Sequence, residues 1–204
     1  FIWTSEKDGY NHIYHYERGG KLINQITKGN WEITNYYGFD QKKNRIYYQS
    51  VENGSINRDV YAIDLNGRNK MRLTKNTGTN NASFSADFTY FINTFSNATT
   101  PPEYSLNEAA TGNLVKSIKD NDALSKKLLD FKTSKKDFST INVNGYELNM
   151  WMLKPADFDP RRSYPLFMYQ YSGPGSQQVA NRWNSANDYW YQYLAQQGYI
   201  VACI

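Results

Sequence analysis

The first 120 residues alternate short aromatic or β-branched runs with turn residues, and no stretch carries the three-to-four spacing of a long helix. Strands are predicted at 1–4, 12–17, 22–27, 32–39, 45–51, 59–65, 70–74, 81–85, 90–95, 103–107 and 113–118. Between them stand Lys7-Asp8-Gly9, Arg18-Gly19-Gly20, Asn53-Gly54, Asn66-Gly67 and Thr111-Gly112, residues that tolerate the positive φ of tight turns. The runs also repeat. Ile13-Tyr14 recurs as Val60-Tyr61 and Thr27-Lys28 as Thr74-Lys75, both after 47 residues. A third copy aligns Phe39 with Phe84 and Tyr61 with Tyr104. A four-strand unit returning every 40–50 residues or so is the signature of propeller blades, with an evenly spaced sandwich as the competing arrangement.

The pattern changes after Asp120. Leu124, Leu128, Leu129 and Phe131 predict a short amphipathic helix over 122–131, capped by Asn121 or Asp122. Asn144-Gly145 is a two-residue hairpin turn, and Tyr146, Leu148, Met150 and Met152 alternate after it, so an antiparallel hairpin is expected at 138–154. A strand at 164–171, a loop with Gly173-Pro174-Gly175, a helix over 186–197 stopped by Gly198 and a last apolar strand follow. Strand, loop, helix, strand is how an α/β sheet begins. The chain therefore reads as propeller blades over 1–120, a connecting helix and linker over 121–137, and the start of a second domain over 138–204. It opens inside a strand-like run at Phe1 and closes on an apolar run at 199–204, so a longer protein is expected.

Composition narrows the partners. Eighteen Tyr, 10 Phe and 5 Trp must build the core, since the mean hydropathy is only −0.76. Rings with polar edges suit strands. The net charge of +4 is scattered, with no basic run beyond Lys135-Lys136 or Arg161-Arg162, so nucleic acid is not an expected partner. A single cysteine, Cys203, excludes an internal disulfide framework. No metal-ligand spacing or phosphate-cradling glycine loop occurs, so neither a metal nor a cofactor is expected.

Several segments resemble one family. Gly145-Tyr-Glu-Leu-Asn-Met-Trp-Met-Leu-Lys-Pro155 and Tyr164-Pro-Leu-Phe-Met-Tyr-Gln-Tyr-Ser-Gly-Pro174 resemble the entrance to the catalytic domain of the prolyl oligopeptidase family. Tyr171-Ser-Gly-Pro-Gly-Ser-Gln177 is most similar to its dipeptidyl peptidase IV branch. Glu6-Lys-Asp-Gly-Tyr-Asn-His-Ile-Tyr14, Ile26-Thr-Lys-Gly-Asn-Trp-Glu-Ile33 and Asn121-Asp-Ala-Leu124 resemble the last blades and the exit of that branch's propeller. The resemblance implies a β-propeller followed by the N-terminal part of an α/β-hydrolase domain. It also implies a serine exopeptidase that releases dipeptides after Pro or Ala from peptides with a free N-terminus, exported to a periplasm or cell surface and working as a homodimer. The open alternatives are a tripeptidyl or acylaminoacyl peptidase of the same family, or a non-catalytic propeller binding protein.

The family's nucleophile sits in a Gly-x-Ser-x-Gly elbow, and none occurs in these 204 residues. The 204 residues alone are therefore expected to be inactive. Tyr171 is the catalytic candidate: it lies where a strand ends, and the resemblance implies that its phenol donates to the oxyanion of the tetrahedral intermediate. Gly173 and Gly175 let the next loop turn, Pro174 stiffens it, and Ser176 and Gln177 are candidates to orient it by hydrogen bonds. Neither is expected to be a nucleophile, lacking a neighbouring base. His12 and His15 read as surface or strand-edge residues, and Trp183, Tyr189, Trp190 and Tyr193 as a core-facing helix and its approach.

Overall fold

The computed structural model describes residues 1–171, 173 and 175–204. The chain divides into two compact units, Phe1–Phe95 with Glu103–Asp120, and Ser96–Pro102 with Asn121–Ile204.

The first unit is three antiparallel meanders. The first has β1 (Ile2–Ser5), β2 (His12–Tyr16) and β3 (Leu22–Gln25). The second runs β4 (Ile33–Asp40), β5 (Arg45–Ser50), β6 (Asp59–Asp64) and β7 (Met71–Arg72) in sequence order. The third is β8 (Thr79–Phe84), β9 (Tyr90–Ser96), β10 (Glu103–Glu108) and β11 (Leu114–Lys119). Among the described residues no sheet closes into a barrel.

Strand alternation explains why the middle sheet is so apolar. Ile46 and Tyr48 of β5, with Tyr61 and Ile63 of β6, pack against Ile13 and Ile26 on one side. The intervening Tyr47, Val60 and Ala62 pack against Phe91 and Ala109 on the other. Both faces are covered, so β5 and β6 read as continuous buried runs rather than alternating ones. Edge strand β11 has neither face covered and is exposed throughout.

Two expectations change here. Tyr61 and Tyr104 both lie in third strands, yet on opposite faces. Tyr61 pairs with Tyr48 and joins the core toward the first sheet. In the third sheet Phe91 is the residue facing the preceding sheet, and it pairs with Asn107, so Tyr104, three residues away, points to the other face. Its counterpart is Ser105, because one residue of slip inverts a strand. His12, in turn, is buried rather than at the surface. Its ring lies edge-on to Trp31, with centroids 4.9 Å apart. Nε2 donates to the Gly29 carbonyl at 3.0 Å, which leaves Nδ1 to accept from the Thr27 hydroxyl at 3.2 Å.

In the second unit β12 (Lys136–Val143) and β13 (Tyr146–Leu153) form the hairpin, turning at Asn144 (φ 53) and Gly145 (φ 87), the two positive φ values of a type I′ turn. With β14 (Leu166–Tyr169) and β15 (Ile200–Cys203) they build one sheet in the order β12-β13-β15-β14. Strand β15 is antiparallel to β13 and parallel to β14. Parallel neighbours need a crossover, and a helix supplies it, Ala186–Gln196. We label it α2, after α1 (Asp122–Leu128).

Helix α1 is not amphipathic in use: none of its residues is buried, and Leu129 beyond it is exposed. Asn121 holds the N-cap position in the left-handed region, but its side chain donates to the Pro102 carbonyl instead of capping. Helix α2 turns a different face inward from the one expected. Tyr189, Trp190 and Tyr193 are exposed, while Asp188, Tyr191 and Ala195 are buried. Those three follow the i, i+3, i+7 rule with a carboxylate as first member. The cause is a buried ion pair: Asp188 meets Lys136 of β12, with side chains only 8% and 5% exposed. The ammonium also lies 4.8 Å from the centroid of the fully buried Trp151.

Candidate active-site loop

The parallel pair β14/β15 fixes the site's position. Ligand chemistry in sheets of this type gathers beyond the carboxyl ends of the strands, and β14 ends at Tyr169, two residues before Tyr171. The strand is shorter than the 164–171 expected from sequence, so Tyr171 belongs to the loop. The residue is 60% exposed.

Gly173 lies directly against that ring. A Cβ built there would sit 3.1 Å from both the phenol oxygen and a ring carbon, closer than ordinary packing allows. Its φ lies outside the left-handed region, so a side chain here would disturb the position of the Tyr171 ring rather than the backbone. Gly175 has the other reason, with φ +70. The Ser176 N–H donates to the Gly173 carbonyl at 3.0 Å, closing a four-residue turn. Pro174, expected to stiffen that turn, lies outside the described residues.

Side chains then tie the turn to the sheet. Gln178 Nε2 donates to Ser176 Oγ at 2.8 Å, and Gln178 Oε1 accepts from the Tyr169 hydroxyl at 3.3 Å. Tyr169 is anchored in turn: its ring is 5.8 Å from that of Tyr191, which is 5.3 Å from Trp151. Burial pushes the Tyr191 phenol up to about 12. Gln177 bonds to its own loop, donating to the Val179 carbonyl at 3.0 Å.

Sequence reasoning named Tyr171, Gly173, Gly175, Ser176 and Gln177, and they lie together in this loop. It missed Gln178, whose bonds bridge loop and strand. One polar residue among several carries no periodic signal that would single it out. Ser176 Oγ faces an amide, which cannot remove its proton, so its geometry is that of a structural hydroxyl. Among the described residues no group of three His, Cys, Asp or Glu side chains could hold a metal ion.

Residues 1–102 match the family model described as the dipeptidyl peptidase IV (DPP IV) N-terminal region. The chain belongs to the dipeptidyl peptidase IV family. It is 34% identical over 189 residues to dipeptidyl peptidase 4 of Trichophyton equinum, covering 91% of this chain and 24% of that protein. It is 32% identical over 203 residues to the probable dipeptidyl-aminopeptidase B of Phaeosphaeria nodorum, covering 97% and 22%. Among solved structures, Porphyromonas gingivalis dipeptidyl peptidase 4 matches the whole chain with a TM-score of 0.93 and 45% identity, over 28% of its own length. A putative dipeptidyl aminopeptidase IV from Bacteroides ovatus matches with a TM-score of 0.84 and 25% identity, over 31%. The antiparallel sheets of the first unit thus correspond to the family's propeller region. The chain spans about a quarter of the length of the curated relatives it matches.

Proposed function

We propose that this chain serves a serine exopeptidase that releases dipeptides after Pro or Ala from peptides with a free N-terminus, and that its second unit is the start of the α/β-hydrolase domain. Family membership supports the reaction class, and the dipeptidyl peptidases among its relatives support the dipeptide register. The mixed sheet, with a helical crossover between the parallel β14 and β15, supports the hydrolase assignment. By the same resemblance the protein is exported, to a periplasm or cell surface, and acts as a homodimer. Its substrate partner is the peptide, with no cofactor.

The observation that carries the reading is the phenol of Tyr171, exposed just past the carboxyl end of β14 and seated on Gly173. When a serine attacks the scissile carbonyl, negative charge develops on the carbonyl oxygen. A phenolic O–H aimed there stabilises charge that exists only in the transition state and intermediate, typically about a hundred- to a thousand-fold in rate per donor. Tyr171 fills that role, with Gly173, Pro174 and Gly175 shaping the loop and Ser176 and Gln177 supporting it. The nucleophile, its base and the acid come from residues other than these 204, which alone are inactive.

The test is hydrolysis of a Gly-Pro anilide and of its N-acetylated counterpart by the intact protein. Cleavage of the free-amine substrate alone is expected. Preference for the acetylated substrate would assign an acylaminoacyl peptidase instead, and failure to cleave either would leave a binding protein.

A further inference from the structure

Tyr171 itself makes a poor fixed donor. Its side chain is more exposed than buried and stands on a loop rather than on the strand. A donor that stabilises an oxyanion has to be held near its working geometry before the charge forms, because reorientation during the reaction cancels the gain. Something other than core packing must hold this phenol.

One continuous set of contacts does so. The phenol rests on Gly173, close enough that a Cβ there would meet it at 3.1 Å and displace it by a few tenths of an ångström. The Gly173 carbonyl accepts from Ser176 N–H at 3.0 Å, Ser176 Oγ accepts from Gln178 Nε2 at 2.8 Å, and Gln178 Oε1 accepts from Tyr169 OH at 3.3 Å. Tyr169 is the last residue of β14 and packs on the buried Tyr191. Gln178 has a donor toward the turn and an acceptor toward the strand, and both ends of its amide are in use. We infer that Gln178 is a positioning residue for Tyr171, coupling the Gly173–Ser176 turn to the end of β14 so that the phenol stays on station. The inference rests on the role proposed for Tyr171.

The two claims separate in one set of variants of the intact protein, assayed on the Gly-Pro anilide. Gln178→Met keeps the side chain's length and removes both hydrogen bonds. It should lower kcat about ten-fold while KM and the melting temperature change little, since the interaction lost matters in the transition state. Ser176→Ala breaks the same chain at its next link. It should give a similar loss, and it carries the test if Gln178→Met folds poorly. In a Tyr171→Phe background, neither change should lower kcat further, because residues that act through one group are not additive. If Gln178→Met and Ser176→Ala leave kcat within two-fold while Tyr171→Phe lowers it more than a hundred-fold, the positioning role is wrong and the donor role stands. Equal losses with and without Tyr171 would also overturn it, since Gln178 would then act elsewhere. If Tyr171→Phe itself leaves kcat unchanged, the donor role fails first.

Discussion

Thr74 stands one repeat beyond Thr27, and the two hydroxyls do the same work. Thr27 Oγ accepts the Ile13 N–H at 2.9 Å and donates to His12 Nδ1 at 3.2 Å. Thr74 Oγ accepts the Val60 N–H at 3.1 Å and donates to Asp59 Oδ1 at 3.1 Å. Both threonines are buried, and each ends its sheet by satisfying a strand N–H that the short last strand leaves over. His12 and Asp59 are thus equivalent acceptors despite different chemistry. The consequence is a stability test. Thr27→Val or Thr74→Val keeps shape while orphaning a buried N–H, and each should cost about 1–3 kcal/mol in urea unfolding. Replacing exposed Thr111 by Val should cost far less.

The pair Lys136 and Asp188 should show the asymmetry of buried ions. Lys136→Met leaves the buried Asp188 carboxylate without its cation, with the Asn184 N–H still donating to it at 3.0 Å. The expected loss is about 3–5 kcal/mol. Adding Asp188→Leu should recover most of it, because the uncompensated charge is what costs, and a double-mutant cycle of unfolding free energies measures that recovery.

Alkali should unfold the protein through its tyrosines. Burial, aided by a hydrogen bond to Asp8, pushes the Tyr14 phenol up to about 12, and burial holds Tyr191 at about 12. Tyr48 and Tyr61 are pushed up by burial as well, with the Glu52 charge adding to it. In the unfolded chain these phenols ionise at about 10. The contribution of Tyr14 and Tyr191 is therefore complete below about pH 10 and is lost as pH rises toward 12. Unfolding free energy measured across that range should fall steadily as the buried phenols become free to ionise.

Much of the fold was legible because its signals are local. The Asn144-Gly145 turn and the alternation after it gave the hairpin, and the Thr27/Thr74 repeat gave the sheet period. What was not legible depends on neighbours. Tyr104 and Tyr61 match by letter, whereas the face Tyr104 occupies is set by its register against Thr94. The bulkiest rings of α2 point to one face, and the buried face follows the partner of Asp188, Lys136, more than fifty residues upstream. In the candidate site Tyr171 and the glycines came from a motif. Gln178 belongs to no motif, because its significance lies in spanning Ser176 and Tyr169.

The most direct measurement is kcat of Tyr171→Phe in the intact protein on a Gly-Pro anilide, with the melting temperature recorded in parallel. The change removes the phenolic donor and keeps the ring. A fall in kcat of about a hundred- to a thousand-fold, with little change in KM and an unchanged melting temperature, is the expected result. A well-folded variant with kcat within a few-fold of the parent would contradict the role given to Tyr171.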